Sequence, residues 1–247
     1  ICKVLKVLII GNEGYIGPHV VNRLKRNNDN FVAGFDIGYF AHSITSFDFP
    51  EKNIDIQHRG DVRNFPKEIL NGFDAVIYLA AISNDPMGQE FENVTFDINQ
   101  HSAISIAEQC KELGVNNFIY ASSCSVYGSL DSNPRKESSE LNPLTAYAKS
   151  KIGAEKELES LSSADFKITC LRFATACGFS SRLRLDLVLN DFVASALVNN
   201  KIEILSNGSP WRPLIHVKDM ARAFDWALNR KVNSNEFLTV NVGSNQW

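Results

Sequence analysis

The sequence predicts an α/β fold, a doubly wound parallel sheet followed by a smaller mixed α/β lobe. Three observations indicate this class. Continuous apolar runs rich in Val and Ile recur along the chain, amphipathic helical segments separate them, and three evenly spaced glycines follow the first run. Strands that are covered on both faces have such unbroken apolar runs, whereas half-exposed strands alternate apolar and polar residues.

Each strand and helix has its own local signal. The predicted strands are, in chain order, the segments VLKVLII, FVAGFD, DIQHRGDV, DAVIYLAAI, NFIYASS and KITCLRF. The predicted helices among them cover about residues 18–27, 93–113 and 146–161. Apolar strands separated by amphipathic helical segments are typical of a parallel, doubly wound sheet.

The rhythm of the sequence changes after about Ala176. A helix, a short strand, a turn with Gly and Pro, a second short strand and another helix follow in succession. This order predicts a smaller lobe laid against the sheet. We therefore expect one domain over residues 1–176 and the lobe over residues 177–247, parts of which can return to the main sheet.

Composition limits the partners that the chain could have. A formal net charge of −3 offers no basic surface for nucleic acid or anionic lipid, and no apolar run is long enough to span a bilayer. Five cysteines, without CxxC or Cys/His ligand spacing, predict reduced thiols in a cytoplasmic protein. The five histidines are scattered without ligand spacing, so no metal site is predicted.

Three glycines, Gly11, Gly14 and Gly17, lie where the first strand turns into the first helix. Glycine permits positive φ and lets backbone N–H groups approach a ligand, while a helix N-terminus carries partial positive charge. The GxxGxxG spacing therefore predicts a pyrophosphate site, with a simple tight turn as the alternative. Asp36 ends the second apolar run, where a carboxylate either caps a loop or accepts hydrogen bonds from ribose hydroxyls and repels a 2′-phosphate. The ribose interpretation predicts NAD rather than NADP.

Tyr147 and Lys151 are one turn apart on one face of the predicted helix 146–161. A fixed ammonium group near a phenol lowers its pKa from about 10, so that Tyr147 could exchange a proton near neutral pH. The same spacing also occurs in surface contacts, so the context matters. The segment YASSCSVYG follows a strand and places Ser122 or Ser123 at the carboxyl edge of the sheet, where such folds bind ligands.

Taken together, these motifs resemble a known family, the extended short-chain dehydrogenases/reductases with a Rossmann fold. Within that family the chain is similar to the NAD-dependent epimerases and dehydratases of nucleotide sugars. The resemblance rests on eight features in the family's order, which are GNEGYIG, Asp36, GDVRN, YLAA, SSCSVYG, NPLTAYAKSK, LRF and RPLIHVKD.

The resemblance implies a role for each matching position. The residues that would hold NAD are Gly11, Gly14, Tyr15, Ile16, Gly17, Asp36, Asp61, Val62, Leu79, Ala80, Ala81, Tyr147 and Lys151. The glycine turn would contact the pyrophosphate and Asp36 the adenosine ribose. Asp61 and Val62 would border the adenine, and the segment 79–81 would run beneath the cofactor.

The implied catalytic group is Ser123, Tyr147 and Lys151. Tyr147 would be the acid/base, Lys151 would bind the nicotinamide ribose and tune Tyr147, and Ser123 would be the catalytic hydroxyl.

The resemblance also implies substrate contacts. Asn190 and Arg212 would contact a nucleotide-diphosphate sugar, since the planar fork of arginine matches phosphate oxygens, and Asn99 would lie on the active-site side. The alternatives are a capping or solvated Asn190, an Arg212 that stacks on Trp211, and an interior hydrogen bond for Asn99.

Departures from the family pattern narrow the implied chemistry. Cys124 and Ser125 replace the Asp-Glu pair of the 4,6-dehydratases, which disfavours dehydration. Cys124 is also one residue away from the cysteine of 3,5-epimerising branches, which favours a packing role. Thr175 stands where many members have an asparagine that contacts the sugar nucleotide, so the sugar and its binding mode stay open.

The implied activity is 4-epimerisation of a nucleotide sugar through a transient 4-keto sugar. A net dehydrogenase or reductase would use the same residues, and a non-catalytic NAD-sensing protein is the alternative outside enzymes. The resemblance further implies a homodimer and a family length that extends beyond the NVGS motif, so we expect the smaller lobe to be incomplete.

Overall fold

The structure, a computed structural model, describes residues 4–27, 29–47, 49–83, 85–128, 133–204, 213–231 and 236–244. Its strands are β1 (Lys6–Ile10), β2 (Phe31–Asp36), β3 (Ile56–Arg59), β4 (Ala75–Tyr78), β5 (Asn117–Ser123), β6 (Lys167–Phe173), β7 (Thr175–Cys177), β8 (Leu214–His216) and β9 (Phe237–Val242). Its α-helices are α1 (Gly17–Leu24), α2 (Asp85–Glu90), α3 (Glu92–Phe96), α4 (Ser102–Glu112), α5 (Ala146–Leu161), α6 (Val188–Asn199) and α7 (Val217–Asn229).

Seven of the described strands form one parallel sheet in the order β3-β2-β1-β4-β5-β6-β9. The chain builds outward from β1 to β3 and then crosses back to β4 on the other side of β1. The strand order therefore reverses between β1 and β4, and open parallel sheets bind ligands at the carboxyl edge of such a point. The predicted doubly wound α/β class is confirmed.

Hydrophobic side chains cover both faces of the sheet. On one face, α1 and α7 pack Val20, Val21 and Phe224 against the strands, and on the other face α4 and α5 bury Ile106 and Leu158. Each large aliphatic side chain that is removed from water contributes about 1.5–3 kcal/mol. Burial on both faces explains why the strand sequences are apolar throughout rather than alternating.

A π-helical turn, Asp97–His101, joins α3 to α4. Two buried tyrosines from neighbouring strands fix this turn, because the hydroxyl groups of Tyr78 and Tyr120 donate to the carbonyl oxygens of Ile98 and Asn99, each at 2.6 Å. The predicted helix 93–113 is thus one helical run, from Glu92 to Glu112, with a wider turn in its middle.

The other predicted elements can be compared with the structure in the same way. The helix 146–161 coincides with α5, whereas the sequence did not predict α2. The first of the two short strands predicted after α6 is absent over residues 201–204, and the second is β8, which pairs with β7. The division into residues 1–176 and 177–247 stays a prediction. Of the second part, β9 joins the main sheet and α7 packs on one face of that sheet.

No helix within the described ranges is both long enough and apolar enough to cross a bilayer.

Candidate active site

The glycine turn between β1 and α1 lies where the strand order reverses. Gly11 has a φ of 86°, and a Cβ at this position would lie 2.5 Å from the backbone nitrogen of Ala80 on the neighbouring segment. A Cβ on Gly17 would lie 1.9 Å from the carbonyl oxygen of Asn12. Packing within the chain therefore requires glycine at both positions.

Gly14 differs from its two neighbours in the motif. Among the described residues, a Cβ there would meet only the carbonyl oxygen of Gly11, at an ordinary contact distance of 3.5 Å. Packing does not explain this glycine, but a ligand that approaches the backbone does. The helix α1 also begins without a side-chain cap and without an acidic residue in its first turn, which leaves its partial positive charge for an anion. The turn fits a pyrophosphate.

Two further positions of the motif hold the turn in place. Tyr15 is buried, and its hydroxyl group donates to the carbonyl oxygen of Gly178 at 2.6 Å. Ile16 is the residue that precedes α1, and its side chain packs against the core on the side of α1 and α7. The turn is thus tied to a segment far along the chain.

Asp36 ends β2 beside the glycine turn. One of its carboxylate oxygens accepts a hydrogen bond from the backbone nitrogen of Glu13 at 2.9 Å, and the other accepts one from Gly38 at 2.8 Å. These bonds fix the orientation of the half-buried carboxylate. Its remaining lone pairs can accept hydrogen bonds from ribose hydroxyl groups.

Two further segments have implied contacts with the cofactor. Asp61 and Val62, implied beside the adenine, follow β3, and residues 79–81, implied beneath the cofactor, follow β4. Asp61 forms an ion pair with Arg63, which lowers the pKa of the Asp61 carboxyl. Val62 and Ala80 pack against the core on the side of α4 and α5. Leu79 and Ala80 both donate backbone hydrogen bonds to the carbonyl oxygen of Ile10, at 2.8 and 3.1 Å, and Ala81 follows them. This arrangement holds the segment beside the glycine turn.

Lys151 is buried beneath the carboxyl end of β5. The side chain is 2% exposed, and its Nζ donates to the carbonyl oxygen of Ala121 at 2.8 Å. Nζ also lies 4.6 Å from the ring centre of Tyr120 and 5.5 Å from that of Tyr147. Burial lowers the pKa of Lys151 to about 7, against the opposing effect of the Glu155 carboxylate. The ammonium is thus adjacent to the predicted acid/base.

The structure distinguishes between the two serines at the end of β5. Ser122 is buried, and its hydroxyl group donates to Glu155 at 2.5 Å. Ser123 points to the other side of the strand, is partly exposed, and its Oγ accepts hydrogen bonds from the backbone nitrogen and the hydroxyl group of Ser125, at 3.2 and 3.0 Å. Of the two hydroxyl groups, only that of Ser123 is accessible to a ligand.

Glu155 belongs to a buried charged network behind these residues. The guanidinium of Arg172 donates to both carboxylate oxygens of Glu155, with a shortest distance of 2.6 Å, and to the hydroxyl group of Tyr127 at 2.9 Å. Tyr127 in turn donates to Asn241 on β9 at 2.6 Å. The network links β5, β6, β9 and the segment after β5 to the helix that carries Tyr147 and Lys151.

The predicted substrate residues occupy different settings. Asn99 is fully buried, and its amide exchanges hydrogen bonds with the backbone of Ile82 at 2.9 Å and donates to Ser150 at 3.2 Å. Asn190 accepts from the backbone nitrogen of Gly178 and donates to the carbonyl oxygen of Arg184, each at 2.9 Å. Both amides therefore hold loops that border the site, and Arg212 lies outside the described residues.

Sequence reasoning missed two features of the site. The helix α2 stands beside Tyr147, since a Cβ on Gly88 would lie 3.8 Å from the Cβ of Tyr147. An ion pair between Glu13 and Arg59 lies beside Asp36. The sequence signal for this ion pair was Glu13 itself, a charged residue within the glycine turn. Cys124 packs against the cluster of Val126, Tyr127 and Ile152, in keeping with a packing role.

Comparisons with known proteins agree with this geometry. Residues 7–243 match the NAD dependent epimerase/dehydratase family. A UDP-glucose 4-epimerase of Lactobacillus helveticus is 28% identical, over 97% of this chain and 77% of the relative. A putative UDP-glucose 4-epimerase of Methanocaldococcus jannaschii is also 28% identical, over 96% of this chain and 77% of its own length.

Solved structures show the same fold. A UDP-glucuronic acid 4-epimerase from Bacillus cereus, in complex with UDP-glucuronic acid and NAD, aligns with a TM-score of 0.83 and 25% identity, over 97% of this chain and 78% of that one. The NAD-dependent NDP-hexosamine 5,6-dehydratase TunA aligns with a TM-score of 0.84 and 25% identity, over 98% of this chain and 76% of that one.

The match to the family extends over nearly the whole chain and includes the glycine turn, Asp36, Tyr147 and Lys151. The protein is an NAD-dependent enzyme, and its open backbone at Gly14 and its oriented Asp36 carboxylate fit that cofactor. The chain belongs to the NAD dependent epimerase/dehydratase family.

Proposed function

We propose that the protein is a nucleotide-sugar 4-epimerase that acts through a transient 4-keto sugar. The observation that carries the proposal is the buried Lys151 amino group, whose Nζ is fixed by Ala121 and lies 5.5 Å from the ring centre of Tyr147. A phenol beside a fixed cation is a proton acceptor that can operate near neutral pH. Two relatives and a structural neighbour whose names describe 4-epimerases support the same chemistry.

Each residue of the catalytic group has a defined task. The ionised Tyr147 oxygen takes the proton of the sugar 4-hydroxyl group as C4 becomes a ketone. It returns that proton after the keto sugar has rotated in the site and is reduced on its other face. The Ser123 hydroxyl group donates a hydrogen bond to the same sugar oxygen. Lys151 stabilises the ionised phenol and would contact the nicotinamide ribose. Bound NAD would supply the hydride chemistry at C4 of the sugar, first as acceptor and then as donor, and would be unchanged overall.

The substrate that we propose is a nucleotide-diphosphate sugar, with UDP-sugars as the first candidates. The names of the relatives and the ligand of the Bacillus cereus structure support this class. Asn190 would act by holding the loop at Gly178 and Arg184, and Asn99 by holding the segment at Ile82. A contact from Arg212 and the homodimer stay predictions.

A net dehydrogenase or reductase is the second candidate, because it would use the same three residues and release the product at the keto stage. The test incubates the purified protein and NAD with UDP-glucose, UDP-N-acetylglucosamine or UDP-glucuronic acid. Absorbance at about 340 nm follows reduced cofactor, and NMR spectroscopy identifies the sugar. A C4 epimer without net absorbance supports epimerisation, steady absorbance with an oxidised sugar supports the dehydrogenase, and neither change with any of these sugars contradicts the proposal.

A further inference from the structure

A buried carboxylate lies inside the turn that is shaped for the pyrophosphate. Glu13 stands between Gly11 and Gly14, and the residue is 1% exposed. A negative charge next to a phosphate site opposes the binding of an anion, so its presence in this turn needs an explanation. The explanation lies in the partner of Glu13 rather than in the turn itself.

That partner is Arg59, the last residue of β3. Its Nη1 lies 2.5 Å from Oε1 of Glu13, and the arginine side chain is 53% exposed although the glutamate side chain is not. The parallel register of β2 and β3 places Arg59 directly beside Asp36. A Cβ on Gly38, two residues after Asp36, would lie 3.6 Å from both Nη1 of Arg59 and Oε2 of Glu13. The ion pair therefore borders the predicted ribose site.

The charges around this corner balance in pairs. Arg182 forms an ion pair with Glu51 at 2.5 Å and donates to the carbonyl oxygen of Glu13 at 3.3 Å. Glu13 neutralises Arg59 in the same way, so that among the described residues of this corner Asp36 is the charge without an ion-pair partner. Without Glu13, a half-exposed guanidinium would stand beside the ribose, and guanidinium groups match phosphate oxygens well.

We propose that Glu13 is a coenzyme-specificity residue, which neutralises Arg59 beside Asp36 and thereby denies a 2′-phosphate the cation that it would need. The site then selects NAD over NADP through two carboxylates, of which Asp36 repels the 2′-phosphate and Glu13 removes its attractive partner. This inference depends on NAD binding and not on which sugar the enzyme converts.

The test measures the dissociation constants of NAD and NADP by calorimetry, at low ionic strength and about pH 8, for three variants of the full chain. Glu13→Gln leaves Arg59 unpaired and should raise the affinity for NADP relative to NAD by about tenfold. Arg59→Gln leaves Glu13 unpaired and should lower that ratio by about tenfold. The double variant has the same net charge as the wild type, so its ratio should return to within about twofold of the wild-type ratio.

A matched control is Asp55→Asn, which removes a carboxylate paired with Lys25 at the other end of β3 and should leave the ratio unchanged. A merely structural role for Glu13 would weaken the binding of both coenzymes equally. An unchanged ratio in Glu13→Gln and Arg59→Gln would overturn the inference, and Arg59→Gln alone decides if Glu13→Gln does not fold. Absence of epimerase activity of the wild-type protein in the sugar assay, with the ratios shifted as expected, would instead contradict the proposed function alone.

Discussion

At the scale of single residues, spacing predicts the arrangement of Tyr147 and Lys151. Spacing leaves the choice between Ser122 and Ser123 open, and only the family resemblance implies Ser123. The four-residue spacing places the tyrosine and the lysine on one helix face, whatever the rest of the chain does. Which of Ser122 and Ser123 faces the ligand depends on Glu155, a residue 33 positions away from Ser122 that accepts its hydrogen bond. The pair of Glu13 and Arg59 is similarly non-local, because it depends on the register of two strands.

Replacing the phenol of Tyr147 should separate proton transfer from cofactor binding. Tyr147→Phe keeps the ring beside Lys151 but removes the proton acceptor, so turnover of the UDP-sugar should fall by about a thousandfold. NAD affinity, measured by calorimetry, should stay within about threefold of the wild type. The control is Tyr39→Phe, since Tyr39 is 68% exposed. Turnover by Tyr147→Phe at close to the wild-type rate would contradict the assigned role.

Burial of Lys151 should make the stability of the protein depend on pH. The pKa of Lys151 is about 7 in the folded state, against 10.5 as the reference value. Between these values the unfolded chain binds more protons, so the free energy of unfolding rises with pH, by up to about 1.4 kcal/mol per pH unit. Lys151→Met should lack this part of the rise.

Urea unfolding at about pH 7 and pH 9 checks this prediction. The difference in free energy of unfolding between the wild type and Lys151→Met should change over that interval in favour of the wild type. The exposed Lys149 on the same helix provides the control variant Lys149→Met. A wild-type to variant difference that is equal at both pH values would exclude a lowered pKa for Lys151.

At the scale of elements, hydrophobic pattern located β1 to β6 and the longer helices, but not β7, β9 or the irregular segments between the elements. The sequence of α2, DPMGQE, contains Pro and Gly, whose low helix propensity hides the helix that stands beside Tyr147. The π turn at Asp97–His101 has the sequence DINQH, which contains neither Gly nor Pro to mark an irregular turn, so the local sequence does not reveal it. Both features result from packing between elements, which a local pattern does not contain.

The three glycines of the turn should respond differently to alanine. In Gly17→Ala the new Cβ would collide with the carbonyl oxygen of Asn12, so we expect the free energy of unfolding to fall by about 3 kcal/mol. In Gly14→Ala the Cβ has space within the protein, so stability should change by less than about 1 kcal/mol. The same methyl group would obstruct the pyrophosphate and should weaken NAD binding by about tenfold or more.

Chemical denaturation and calorimetry on the two alanine variants measure these effects separately. The variant at Gly14 acts as the folded control for the variant at Gly17. Undiminished NAD affinity in Gly14→Ala would mean that the backbone at this position does not contact the cofactor.

At the scale of the whole molecule, long-range polar contacts join the strands that the sequence predicts to β9, which it does not predict. The parallel, doubly wound class of the sheet follows from the alternation of strands and helices. The position of β9 beside β6 does not, because its sequence carries no signal for its partner. Arg172, Glu155, Tyr127 and Asn241 connect β9 to α5 through buried hydrogen bonds. Only the folded structure shows that these four residues form one network.

Glu155→Gln should destabilise the entire molecule. The change leaves the buried Arg172 guanidinium without its counter-charge, which costs about 3 kcal/mol or more. Thermal or urea unfolding measures the loss, and Glu159→Gln, on the exposed side of the same helix, is the control. Equal stability of the two variants would show that the network does not contribute. Glu155→Leu combined with Arg172→Met should recover part of the lost stability, because neither buried charge remains.

The two tyrosine hydroxyl groups that bind consecutive carbonyl oxygens of the π turn restrict how the length of this segment can evolve. Removing one residue from the turn would restore regular α-helical winding and rotate everything before it by about 100° relative to α4. Tyr78 and Tyr120 would then lose their acceptors together. We therefore expect insertions and deletions among homologous chains to avoid residues 97–101 and to accumulate in surface loops.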